Sequence, residues 1–226
     1  MHPHYQLISF IIFGGLTVAL VLLSKKISKQ EWRLKDIILS SLLGTLFGGI
    51  ALGTVLALMG PAIPLFAAIG LLDFAWEIMF GIFIFSTTFS AYIMQKPGTA
   101  SLVGLITGSV QVLMGSPFAA TVWISGLIQG VGAEVGFAIF GFKKWNMASM
   151  LVAATGATIA SFLLAWYRGS WANLEFSIVL IRFLIRLGSG LIFTGVLSKF
   201  LADRLAKAGV LKSYPLGEGA NEFTGE

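Results

Sequence analysis

Six polar side chains stand inside long apolar runs of the sequence: Glu77, Gln111, Gln129, Glu134, Arg182 and Arg186. A charge or an amide placed in lipid is costly unless it is paired, hydrated or bound to something, so each of these residues calls for a partner. Carboxylate and amide groups together suit a small heterocycle that offers both donors and acceptors. Trp76, Trp123, Trp166, Tyr167 and Trp171 recur near the same level, and aromatic faces suit a flat ring or a cation.

Catalytic chemistry is poorly supplied. The two histidines, His2 and His4, both lie in the N-terminal tail, and there is no cysteine. That leaves no Ser/His dyad, no thiolate nucleophile and no His or Cys metal cluster in the apolar runs. Asp73 and Glu77 are one helical turn apart, but no comparable carboxylate faces them as an intramembrane aspartyl site requires. No glycine-rich phosphate loop with its lysine is present. The sequence predicts a non-enzyme with no cofactor and no metal site.

The elements that hold these residues are membrane helices. With 57% hydrophobic and 11% charged residues in 226, and a mean hydropathy of +0.90, the chain lacks the polar surface to cover a water-soluble globule. Lipid is its solvent. At roughly 20 apolar residues per crossing, the sequence divides into seven spans: 6–24, 37–59, 72–94, 99–114, 123–140, 147–167 and 176–201. Pro61 and Pro64 close the second span. The first lacks a basic segment before it, which favours a membrane anchor over a signal peptide.

Charge placement orients the spans. Lys25, Lys26, Lys29, Arg33 and Lys35 fill the first linker, Lys96, Lys143 and Lys144 fall on the same side, and Lys199, Arg204, Lys207 and Lys212 follow the last span. The opposite loops hold only Arg168. By the positive-inside rule the N-terminus is outside and the C-terminus cytoplasmic, in a multi-pass protein of the plasma membrane. The basic residues thus follow topology and form no nucleic-acid patch.

In this orientation Glu77, Gln111, Gln129 and Arg182 come from four spans yet share the outer half, at depths of about 5–9 Å at 1.5 Å of rise per residue. The inner half has almost no polar track. The pattern predicts a cup open to the outside, with Trp76, Trp123 and Tyr167 as aromatic lining. Glu134 and Arg186 lie deeper, each about 16 Å from the outer end. Equal depth makes them candidate ion-pair partners, with ligand contact the alternative for Glu134.

Small residues four apart, such as Gly44 and Gly48, Gly104 and Gly108, Gly126 and Gly130, and Gly132 and Gly136, mark faces for close helix packing. Either these serve the bundle itself, or the surface of Gly44, Gly48 and Gly49 docks another membrane subunit.

Four stretches carry a family resemblance: Trp76-Glu77-Ile78-Met79-Phe80-Gly81; Ala91 to Gly98 with its Lys-Pro-Gly; Gly126-Leu127-Ile128-Gln129-Gly130-Val131-Gly132-Ala133-Glu134; and Ile185 to Gly190 leading into Leu201-Ala202-Asp203 and Gly209-Val210-Leu211. Over residues 36–211 the chain resembles the substrate-binding S component of energy-coupling factor (ECF) transporters, of the YkoE type assigned to thiamin or its hydroxymethylpyrimidine precursor. The resemblance implies an all-helical membrane protein, a six-helix bundle with an external vitamin pocket, working with a transmembrane coupling subunit and two ATPase subunits. Matched residue by residue, it puts Glu77, Gln129 and Glu134 in the pocket. The sequence departs from the family at Gln111, where an acidic residue is expected, and at Ala165, where Asp is usual. Both departures remove negative charge.

The domain expectation is an additional N-terminal helix and basic linker over 1–35, a substrate-binding membrane domain over 36–205 and a frayed cytoplasmic tail over 206–226. A self-sufficient small-solute carrier or a membrane scaffold is the other functional reading.

Overall fold

The computed structural model describes residues 31–59, 62–118, 120–168 and 174–224, with the isolated positions Gly15, Ala19 and Leu22. The side chains of Asp73 and Tyr167 lie outside that description, as do Trp171 and most of the expected first span. The described residues form α1 (Leu34–Met59), α2 (Ala62–Ala68), α3 (Leu72–Met94), α4 (Thr99–Leu113), α5 (Ala120–Ile139) and α6 (Met147–Arg168). The last span is α7 (Phe176–Ser189), a π-helical segment (Gly190–Leu197) and α8 (Ser198–Lys207), followed by α9 (Pro215–Thr224). Among these, five stretches are long and apolar enough to cross a membrane, and α4 is a shorter apolar helix. The six expected crossings from residue 37 onward are therefore present, in an all-helical bundle.

The bundle is built around α3. Of its apolar window 78% is buried, against 28% for α1 and for the last span, so α3 is the axis and the other two form flanks. The aliphatic residues of the flanks, Leu42, Leu46, Leu184 and Ile192 among them, are exposed as a lipid-facing surface must be. α4, α5 and α6 pack in sequence order, α1 lies on α4, and the last span closes the ring against α3 and α6.

Glycine sets the tightest crossings. A Cβ on Gly104 would sit 2.3 Å from the Gly126 carbonyl oxygen, and one on Gly132 would sit 2.5 Å from that of Gly156. Only a hydrogen at those positions lets α4, α5 and α6 approach so closely. Gly44 and Gly48 belong to the same kind of contact, facing Ile106 and Val110 of α4. Their face is thus occupied within the chain and is not open for the docking expected of it. Gly49 has open space around it.

The Lys-Pro-Gly stretch is the turn between α3 and α4. Gln95 ends α3 with φ 51°, Pro97 cannot continue the helix, and Gly98 at φ 87° turns the chain into α4. Lys96 reaches back to α1, donating to Asp36 Oδ2 at 2.5 Å and to the Glu31 carbonyl oxygen at 2.6 Å.

The last span is tied to α3 by a ladder of hydroxyls. Thr194 Oγ1 donates to the Gly81 carbonyl at 2.9 Å, and Thr88 Oγ1 donates to the Thr194 carbonyl at 2.7 Å. The π-helical register shifts the carbonyls of this segment out of the usual i→i−4 pattern, and the Thr194 carbonyl accepts from the hydroxyls of both Thr88 on α3 and Ser198.

The tail departs from expectation. Residues beyond Lys207 turn and form α9, which packs on α8 and α3, with Leu211 buried and Tyr214 and Leu216 against the core. Tyr214 Oη donates to the Lys35 carbonyl at 3.2 Å, and Lys35 Nζ donates to the Ser213 carbonyl. Burial, then the Asp36 charge, holds the Tyr214 phenol above its ordinary pKa, which keeps it a hydrogen-bond donor. Three apolar anchors among polar residues were enough to order the segment that its composition marked as frayed.

Candidate functional site

A cavity of about 380 Å³ opens among α1, α3, α4, α5 and α6, with Arg186 reaching its wall from α7. α3 contributes Trp76, Phe80, Phe83, Ser86 and Thr87; α4 contributes Gly104, Thr107 and Gln111. α5 adds Thr121, Val122, Ser125, Gly126 and Gln129, while Val55, Phe118 and Arg168 complete the lining. The helix periods explain the convergence. Thr107 and Gln111 are i and i+4 on α4, as are Val122 and Gly126 on α5, so each helix turns one continuous stripe inward.

One wall is aromatic. Trp76 and Phe118 meet edge to face at 5.5 Å between centroids, and Phe83 lies 6.3 Å from Trp76. Neutral polar groups join the lining as well. Gln111 Nε2 donates to its own helix at Thr107 O (3.4 Å), and Thr107 Oγ1 lies 3.3 Å from Ser86 Oγ. Flat faces plus a few placed amides and hydroxyls are what a small heteroaromatic solute requires.

The charges are arranged in layers. Arg186 Nε donates to Glu77 Oε2 just behind the lining, and the Arg182 guanidinium lies 3.9 Å from Glu77 Oε1. The Arg186 guanidinium is also held over the rings of Phe80 (4.6 Å) and Phe162 (5.6 Å). Paired and stacked in this way, Arg186 is a fixed part of the wall. Arg168, at the C-terminal end of α6, donates to Ser125 Oγ at 3.0 Å and to the Thr121 carbonyl at 3.2 Å. Burial pushes its pKa down from the ordinary value, the direction expected where desolvation acts on a cation.

Of the residues singled out in the sequence, Trp76, Gln111 and Gln129 line the cavity. Glu77 and Arg182 lie behind it, and Arg186, assigned only a structural role, reaches the wall. Trp123 is outside the lining and 39% exposed; the Tyr167 side chain is not described.

The expected Glu134–Arg186 pair does not form. Glu134 points to the other end of the neighbouring helix, where its Oε1 accepts the Ala100 N–H at 2.8 Å, near the N–H groups of Gly98 and Ser101. It is a cap supplied by α5 to the N-terminus of α4, which has no side-chain cap of its own. Depth alone misled: α3 stands beside α7 and supplies the carboxylate that Arg186 meets.

Arg168 and the hydroxyls of Ser86, Thr87, Thr107, Thr121 and Ser125 are lining groups that the sequence did not single out. Arg168 reads there as a loop charge, and membrane hydroxyls commonly bond their own helix, as Ser125 does with Thr121 O at 2.8 Å. Among the described residues the lining offers no imidazole, thiolate or carboxylate, the donors that suit a first-row metal ion. Among the described residues no group of three or more such side chains is gathered anywhere.

Comparison with known proteins agrees with this architecture. Residues 35–160 match the family model described as the permease component of an ABC-type cobalt transport system. The chain belongs to that permease family and is an S component of the ECF transporter type, a transport protein and not an enzyme. It is 31% identical over 195 residues to the putative HMP/thiamine permease protein YkoE of Bacillus subtilis strain 168, covering 84% of this chain and 92% of that one. A crystal structure described as an S-component of an ECF transporter superposes with a TM-score of 0.76 at 29% identity, over 86% of this chain and 95% of that one.

Proposed function

We propose that this chain is the capture subunit of an ECF-type importer for hydroxymethylpyrimidine (HMP) or thiamin, holding its ligand in the α3–α4–α5 cavity. The observation that carries the reading is the cavity itself. Trp76, Phe83 and Phe118 line a space of about 380 Å³ together with Gln111, Gln129, Thr107 and Ser86. Amide groups can both donate to and accept from an aminopyrimidine edge, and the aromatic wall takes its faces. Similarity to an HMP/thiamine permease supports the same ligand class. The cobalt of the family description has no matching donor set among the described lining residues.

The distribution of lysine and arginine supports an N-terminus outside, a C-terminus in the cytoplasm and a cavity open to the exterior of the plasma membrane. With no phosphate loop, the chain depends for energy on a transmembrane coupling subunit and two ATPase subunits. Gly49 is the member of the expected docking surface left open to receive the coupling subunit within lipid.

Reconstitution into vesicles separates this from a self-sufficient carrier. Radiolabelled HMP or thiamin should accumulate only when the coupling and ATPase subunits are incorporated and ATP is supplied. Sustained accumulation by the chain alone defeats the subunit reading.

A further inference from the structure

Among the described residues, the charged members of the cavity lining are Arg168 and Arg186. Arg186 has its counter-charge directly behind the wall in Glu77, a carboxylate that Arg182 also approaches. Arg168 is placed differently. Its hydrogen bonds go to neutral oxygens of Ser125 and Thr121, its Nε is buried without a hydrogen-bond partner, and no described carboxylate is paired with it. Gln111, on another wall, is an uncharged amide. A guanidinium stays protonated throughout the physiological range. In a partly dehydrated cavity its field acts on a bound charge several times more strongly than in water.

We propose that Arg168 is the charge-selecting residue of this cavity, favouring a neutral or anionic aromatic ring and rejecting a cationic one. Resting on the functional reading above, this narrows the ligand class. Uncharged HMP fits the site, while thiamin carries a permanently cationic thiazolium that Arg168 opposes. The ring faces are held by Trp76 and Phe118, and selection comes from the sign of the charge at the Arg168 end.

The test is isothermal titration of the purified full-length chain in detergent, at a mildly alkaline pH that leaves the aminopyrimidine uncharged, with HMP and with thiamin. Wild type, Arg168→Gln and Arg168→Glu are compared, each with its melting temperature as a check on folding. Wild type should prefer HMP by about tenfold or more. Arg168→Gln should narrow that ratio, and Arg168→Glu should erase or reverse it, chiefly by tightening thiamin. If Arg168→Glu does not fold, the wild-type ratio and Arg168→Gln still decide. Thiamin binding to wild type as tightly as HMP, or a ratio unmoved in a folded variant, overturns the selection and leaves the importer reading standing. Folded wild type that binds neither ligand defeats the functional reading and this inference with it.

Discussion

The Glu77 carboxylate on α3 and the Arg186 guanidinium on α7 hold each other at the back of the cavity, both buried, with Arg186 also stacked 4.6 Å over Phe80. Phe80 in turn lines the cavity, so the ion pair fixes one wall. Removing one partner leaves an uncompensated charge in a low-dielectric interior. Glu77→Gln should destabilise the chain by about 3–5 kcal/mol, read as a lowered melting temperature in detergent. Glu77→Gln combined with Arg186→Met should cost less than the sum of the single changes. Strict additivity would mean that the pair is not an energetic unit.

Glu134 accepts the Ala100 N–H, beside the N–H groups of Gly98 and Ser101, at the start of α4 and lies outside the cavity lining. Glu134→Ala should lower stability by about 2–3 kcal/mol, because those N–H groups lose their acceptor while buried. Glu134→Gln keeps an acceptor oxygen and should lose less. Ligand affinity of the folded Gln variant should stay within about threefold of wild type; a larger loss with unchanged melting would give Glu134 a ligand role instead.

The tail is a packed part of the fold. Leu211→Ala removes a buried anchor at a cost of about 2–3 kcal/mol locally, loosening the segment that leads into α9. Trypsin should then cut after Lys207 and Lys212 faster than in wild type. Equal cleavage rates would argue that Leu211 does not hold the tail.

Orientation can be read with single cysteines, since the natural sequence contains none. Pro117 and Lys143 are both exposed, at opposite ends of α5. A membrane-impermeant maleimide should label Pro117→Cys in intact cells and Lys143→Cys only after permeabilisation. The reverse pattern would invert the topology and put the cavity on the cytoplasmic side.

Much of this arrangement was legible in the sequence because lipid makes polarity informative. Helix ends followed from apolar length and from Pro61, Pro97 and the basic residues, and Gln111 and Gln129 stood out as amides within spans. What stayed hidden depends on direction around a helix. Glu134 and Arg186 share a depth, yet the bundle order places α3 beside α7 and turns Glu134 toward Gly98. Arg168 was hidden by its position, since a cation at a span end looks like a topology signal whichever way it points. Leu211 and Leu216 were hidden by polar neighbours, although two or three buried aliphatic residues suffice to dock a short helix.

The central claim is that the α3–α4–α5 cavity is the ligand site, and direct titration of HMP onto wild type, Gln129→Ala and Trp76→Ala tests it most closely. The account predicts binding by wild type, weakened about tenfold or more in each variant through loss of a hydrogen bond or a stacking face, at nearly unchanged melting temperatures. Undiminished HMP binding by both folded variants would place the ligand elsewhere and contradict it.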